Sequence, residues 1–122
     1  MPITKNLANN DREWRTLLHS EDPNVVRTMS DWRTLLASKE SPLAGVEKRV
    51  VTAFTKKLKF KNGGLAHADF SMIVDVVPFS QFRRIWEHFG MSLDLFADHE
   101  GYTCSGRGNC KKLHNNICTS NC

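Results

Sequence analysis

The four cysteines of the chain lie within its last nineteen residues, 104–122, and one histidine lies among them. Their spacing is C-x5-C-x3-H-x3-C-x3-C, which places five sulfur or nitrogen ligands in one short segment. A structural zinc site needs four such ligands in a tetrahedral arrangement. The segment therefore predicts a zinc site formed by Cys104, Cys110, His114 and Cys118, with Cys122 competing for one of the four positions.

Disulfide bonds are the alternative use of the same cysteines. An even number of cysteines separated by small polar residues is typical of a disulfide-closed segment, and four cysteines allow three pairings. Disulfides persist in oxidising compartments. However, residues 1–10 lack the basic start and apolar stretch of a secretory signal. At the level of sequence, zinc and disulfides both remain open.

A third interpretation is a ribosomally made peptide precursor with a cysteine-rich core at its C-terminal end. Hydroxyl residues lie close to the cysteines, as they do in thioether-bridged peptides, namely Thr103, Ser105, Thr119 and Ser120. Precursor leaders are usually short and acidic, whereas the preceding part of this chain is long and rich in aromatic residues. That difference argues against the precursor interpretation.

Basic residues form a second candidate site. The chain has a net charge of +4, and residues 48–61 contain six basic residues and no acidic one. Clustered lysine and arginine side chains can neutralise nucleic-acid phosphates. A solvated helix face, an anionic membrane and a partner's groove are the alternatives. The predicted nucleic-acid contacts are four residues on one helix face and three in the cysteine segment: Lys48, Arg49, Lys56, Lys59, Arg107, Lys111 and Lys112.

The first elements that position these residues are two similar helices. The motif Trp-Arg-Thr-Leu-Leu occurs at residues 14–18 and again at 32–36. In each copy Trp and the two Leu residues follow the i, i+3, i+4 spacing of an amphipathic helix. We expect a helical hairpin with Trp14 and Trp32 in the core, capped at Asn10 or Asp11 and at Ser30 or Asp31.

The rest of the chain also has helical patterns. A helix is predicted from Ser41-Pro42 to the Lys-Asn-Gly-Gly motif at 61–64, where glycine ends it. Residues 65–77 combine helical spacing with a β-branched run, and the absence of a visible partner strand favours a helix. Residues 80–89 predict a further helix, with a short turn starting at Ser92. The predicted fold class is all-α, a small bundle of about five or six short helices with an irregular tail containing cysteine and histidine.

Composition changes beyond Gly101, where glycine, asparagine, serine and cysteine dominate. This change predicts two parts, a helical domain over residues 1–100 and a separable cysteine-rich tail over 101–122. No apolar run reaches the ~18–20 residues of a membrane span. We expect a cytoplasmic or nuclear protein, or a secreted one if the chain is a processed product.

No Ser-His-Asp arrangement, phosphate-binding glycine loop or carboxylate pair is visible, so we do not expect an enzyme. The predicted function is that of a small basic zinc-binding accessory protein that contacts nucleic acid through its basic helix and its tail. The alternative is a non-enzymatic structural subunit of a larger assembly, with a disulfide-closed tail. Oligomeric state is left open.

Overall fold

The computed structural model describes residues 2–122 as a mixed fold of five helices and a four-stranded antiparallel sheet. The prediction of an all-α fold is therefore wrong. The strands are ordered β1-β2-β4-β3 across the sheet. In chain order the elements are α1 (Asp11–Leu18), α2 (Met29–Leu36), α3 (Lys48–Lys56), β1 (Lys59–Lys61), β2 (Gly64–Asp69), α4 (Phe79–His88), α5 (Leu93–His99), β3 (Glu100–Gly106) and β4 (Asn109–Cys118).

The third helix is shorter than the sequence predicts, because part of its predicted length forms a hairpin. Helix α3 begins at Lys48, not at Pro42, and Lys59 lies in β1 instead of on the helix. Asn62 and Gly63 connect β1 to β2, and both have positive φ, 54° and 90°. Asn-Gly in this conformation is the preferred connection of a two-residue β-hairpin. The motif that was expected to end a helix instead reverses a strand.

Strand β2 corrects the helix predicted over residues 65–77. Residues 64–69 are extended, and residues 71–77 form turns. Leu65, Ala66 and Ala68 are all buried, and since successive residues of a strand point to opposite faces, both faces of β2 are covered. A strand covered on both faces lacks the alternation of apolar and polar residues that identifies a half-exposed strand. Its sequence therefore resembles that of a buried helix.

The cysteine segment contributes the other two strands of the sheet. Strands β3 and β4 form a hairpin joined by Arg107 and Gly108, with Cys104 opposite Cys110. The end of β4 pairs with β2, and Ile117 is fully buried in the core. The irregular tail expected from composition is therefore a β-hairpin whose pairing contains two register shifts. The proposed division near residue 100 falls between α5 and β3, and its separability stays a prediction.

Both repeated tryptophans belong to the core, as predicted: Trp14 is 2% exposed and Trp32 is fully buried. Asn10 caps α1 by accepting a hydrogen bond from the Glu13 N–H at 2.9 Å. The second helix is capped by Thr28, not by Ser30 or Asp31.

Aromatic rings join the helices to one another. Trp32 stacks on Phe89 with ring centroids 5.3 Å apart, and Trp86 stacks on Phe96 at 4.8 Å. These pairs connect α2 to the end of α4, and α4 to α5. Within residues 2–122, no helix combines the length and apolar character that crossing a bilayer requires.

Candidate functional site

A sharp bend in β4 brings distant cysteines together. Eight fully extended residues would span about 26 Å, yet the Cα atoms of Cys110 and Cys118 are only 6.0 Å apart. The bend falls within residues 113–116, which stand opposite the single residue Gly101. Asn115 has a φ of 58° there, and Gly101 has a φ of 88°. The strand thus reverses locally, so that its two end cysteines meet.

The four cysteines are joined in two bonded pairs, and together we call them the cysteine cluster: Cys104, Cys110, Cys118 and Cys122. Of the three possible pairings, the structure has the disulfides Cys104–Cys122 and Cys110–Cys118. The Sγ atoms of Cys104 and Cys118, which belong to different disulfides, are 3.6 Å apart. The Sγ atoms of Cys104, Cys118 and Cys122 all lie within 4.8 Å of one another.

The last four residues hold Cys122 against the hairpin through backbone contacts. The Thr119 N–H donates to the Ala66 carbonyl at 3.0 Å, and the Thr119 hydroxyl donates to the Leu65 carbonyl at 2.8 Å. Further along, the Gly108 N–H donates to the Cys122 carbonyl at 2.8 Å. The C-terminal segment therefore runs from β2 to the hairpin turn, which places the Cys122 sulfur beside Cys104.

The predicted ligand His114 is not brought into this group. It is exposed in the bend of β4, and its carbonyl accepts a hydrogen bond from the Asn116 amide at 3.1 Å. The group of ligand atoms within 4.8 Å of one another contains Cys104, Cys118 and Cys122, and neither His114 nor Cys110 belongs to it. These three cysteines could hold a metal ion, whereas the two bonded pairs favour disulfides. Zinc is not established by this arrangement.

His67 is the titratable residue paired with the cluster in the sheet register. It stands opposite Cys118 of β4 on one side and Lys59 of β1 on the other. Burial lowers the pKa of His67 below its ordinary value, and the positive charge of Lys59 lowers it further. The imidazole is therefore neutral at neutral pH and adds no positive charge next to the sulfur atoms.

The predicted basic helix face is exposed over α3. Lys48, Arg49 and Lys56 line a shallow depression together with Lys57, around the small residues Thr52 and Ala53. The Arg49 Nε lies 2.9 Å from a carboxylate oxygen of Glu47 on the helix N-terminal side, although both side chains are largely exposed. An acidic residue just outside the basic run thus reduces the charge at one end of the face.

A second basic region surrounds the C-terminal segment. Lys59 and Lys61 are exposed on the same face of β1, opposite the half-buried Phe60. The Asn121 amide donates to the Lys61 carbonyl, and the Cys122 carbonyl accepts from Gly108 beside Arg107. The end of β1 and the hairpin turn therefore both contact the C-terminal segment. We call Lys59, Lys61 and Arg107 the cationic rim.

The hairpin itself is cationic. Lys111 and Lys112 are both exposed and, as neighbours in a strand, point to opposite faces. Tyr102, opposite Lys112, is also exposed. No acidic residue follows Glu100. The nucleic-acid contacts predicted from the sequence did not include Lys61 or Tyr102. The Asn62-Gly63 motif could have placed Lys61 at the end of a strand, whereas its contact with the C-terminal segment depends on the tertiary structure.

Comparison with known proteins gives no family. No protein-family model matches the chain, and neither does any curated protein or any solved structure.

Proposed function

We propose that this is a small, non-enzymatic accessory protein that binds nucleic acid through its phosphates. The observation that carries the proposal is the cationic rim: the strand that bears Lys59 and Lys61 and the turn that bears Arg107 both contact a C-terminal segment without acidic residues. Lysine and arginine contacts to phosphates provide affinity without reading sequence. The proposed location is accordingly the cytoplasm or the nucleus.

The shape of the hairpin supports the same proposal. A two-stranded β-ribbon fits the major groove of B-form DNA. Arg107 lies at the turn of this ribbon, while Lys111 and Lys112 lie on its two faces. A ribbon with basic side chains on both faces and at its turn can contact phosphates on both sides of a groove. Binding should therefore tolerate different nucleotide sequences.

The cysteine cluster gives this ribbon a fixed position. An isolated two-stranded hairpin is marginally stable in water. Here the disulfide Cys104–Cys122 links β3 to the C-terminal segment, and the disulfide Cys110–Cys118 links the start of β4 to its end. Closure by zinc, the metal proposed from the sequence, would hold the same segments. In either form the cluster would keep the basic side chains in place.

Oligonucleotide binding at several salt concentrations tests the proposal. In the triple variant Lys59→Gln, Lys61→Gln, Arg107→Gln, three phosphate contacts are lost, so the slope of log K against log salt should shrink by roughly 2–3. The matched control replaces three exposed basic residues outside the hairpin and α3, Lys5, Arg12 and Lys39, with glutamine. If both triple variants change the slope equally, net charge alone explains the binding, and the cationic rim is not the binding site.

A structural subunit of a larger assembly is the second candidate function. It is favoured by two exposed apolar residues three positions apart, Val76 at 53% and Phe79 at 63% exposure. Exposed apolar residues close together mark protein contact sites. Sedimentation of the wild-type chain and of the variant Val76→Ser, Phe79→Ser tests self-association. If this candidate is correct, the wild type should sediment as oligomers and the variant should not.

A further inference from the structure

Three sulfur atoms of the cysteine cluster have a spacing similar to that of a tetrathiolate metal site. With zinc–sulfur bonds of about 2.3 Å, the sulfur atoms of a tetrahedral site lie about 3.8 Å apart. The Sγ atoms of Cys104 and Cys118 are separated by 3.6 Å, without being bonded to each other. Cys122 lies within 4.8 Å of both, and Cys110 is bonded to Cys118. Three of the four sulfur atoms thus lie close to the spacing that one zinc ion requires, and the fourth, that of Cys110, is bonded to one of them.

We propose that the cysteine cluster is a redox-exchanged zinc site with four cysteine ligands. In the reduced form Cys104, Cys110, Cys118 and Cys122 bind one Zn²⁺ as thiolates. A peroxide-class oxidant converts this form into the disulfides Cys104–Cys122 and Cys110–Cys118 and releases the metal. This inference can be tested independently of nucleic-acid binding, since none of its metal ligands is a cationic rim residue.

The exchange balances in atoms and electrons. Four thiolates lose four electrons, two sulfur–sulfur bonds form, and Zn²⁺ leaves. Two hydrogen peroxide molecules accept these electrons together with four protons, and their O–O bonds break to give four water molecules. In the reverse direction, two dithiol reductants cleave the two disulfides, and the four thiols lose their protons when they bind zinc. Reducing compartments such as the cytosol favour this zinc form.

The backbone around the cluster supports both forms without rearrangement. The strand pairing of Cys104 with Cys110 does not depend on the state of the sulfur atoms. The same holds for the hydrogen bonds that Thr119 donates to Ala66 and that Cys122 accepts from Gly108. These contacts hold all four cysteines near one another when the disulfides are reduced. We therefore expect zinc binding to require movements of side chains only, that of Cys110 included.

The surroundings also suit a reactive thiolate site. Cys104, Cys110 and Cys122 are half-buried, which leaves them accessible to a small oxidant, whereas Cys118 is buried. A tetrathiolate zinc centre carries two negative charges, and the segment around it contains Arg107, Lys111 and Lys112 but no acidic residue. Cysteines in electropositive, partly exposed surroundings are the ones that react.

Metal titration of the reduced full-length protein tests the ligand set. With Co²⁺ as a spectroscopic probe and Zn²⁺ in competition with a chromophoric chelator, the wild type should bind one ion. Cys110→Ser should weaken binding more than about 100-fold, because losing a ligand costs more than losing an outer partner of a ligand. His114→Ala should leave the affinity unchanged. The opposite pattern, or no binding by the reduced wild type, would overturn the proposal.

Oxidation of the zinc-loaded wild type gives a second test that does not depend on how the variants fold. Adding hydrogen peroxide should release one zinc for every two peroxide molecules consumed. Peptide mapping should then find the pairs Cys104–Cys122 and Cys110–Cys118. A dithiol reductant with added zinc should restore the original zinc affinity, measured again in competition with the chelator. Retention of zinc after oxidation, or a mixture of all three pairings, contradicts the exchange.

Discussion

His88 shows how one buried side chain makes stability depend on pH. It is the last residue of α4, is 1% exposed, and its carbonyl accepts a hydrogen bond from the Val26 N–H at 2.9 Å. Burial, and then the positive charge of Arg84, lowers the pKa of His88 to about 4. In the unfolded chain the imidazole has a pKa near 6.5 and binds a proton more readily. The folded state is therefore favoured when this side chain is neutral.

The His88→Gln variant should lose most of this pH dependence. In the wild type, the contribution of His88 is intact above about pH 6.5 and falls as the pH drops to about 4, by about 3 kcal/mol in total. Urea unfolding at pH 7 and pH 5 measures the difference in the free energy of unfolding, and His19→Gln, at an exposed position, is the control. Equal pH dependence in the wild type and in His88→Gln would show that His88 does not cause it.

At the scale of elements, the residues of α3 that stabilise the fold differ from those that we propose to bind nucleic acid. Its basic side chains are exposed, whereas Phe54 and Thr55 are buried, and the Thr55 hydroxyl accepts a hydrogen bond from the Trp32 indole at 3.0 Å. Replacing Lys48, Lys56 and Lys57 with glutamine should change the free energy of unfolding by less than about 0.5 kcal/mol. The salt slope of oligonucleotide binding should shrink by roughly 2–3. An unchanged slope would restrict the nucleic-acid contact to the cationic rim and the β3–β4 hairpin.

At the scale of the whole molecule, the cysteine segment completes the sheet. Deleting residues 101–122 removes β4 and nearly all of β3, leaving the β1–β2 hairpin without its neighbours. Because Ile117 leaves the core and a lone hairpin is marginally stable, we expect the truncated chain to lose cooperative thermal unfolding. Circular dichroism during heating measures this. The control is the double variant Cys104→Ser, Cys122→Ser, which keeps both strands. If the truncated chain still melts cooperatively near the wild-type temperature, residues 1–100 form a separable domain.

The sequence by itself determined the elements whose signals are local. Trp14 and Trp32 are buried because each heads a stripe of apolar residues with helical spacing. The helix predicted at 80–89 is observed as Phe79–His88, since the apolar spacing and the flanking Pro78 and Gly90 all lie within a few residues of one another. Such patterns need no information about distant parts of the chain.

The tertiary structure decided the sheet and the arrangement of the cysteines. Strand β2 is extended because it pairs with β4, where Asp69 meets Asn116 from the other end of the domain, and such pairing leaves no local signal. The cysteine spacing favoured zinc ligation with His114 but was also compatible with three disulfide pairings. The bend at Asn115 brings Cys110 next to Cys118 and leaves His114 exposed. A backbone reversal and the pairing of strands thus decide which side chains meet. Both depend on contacts between segments that are far apart in the chain.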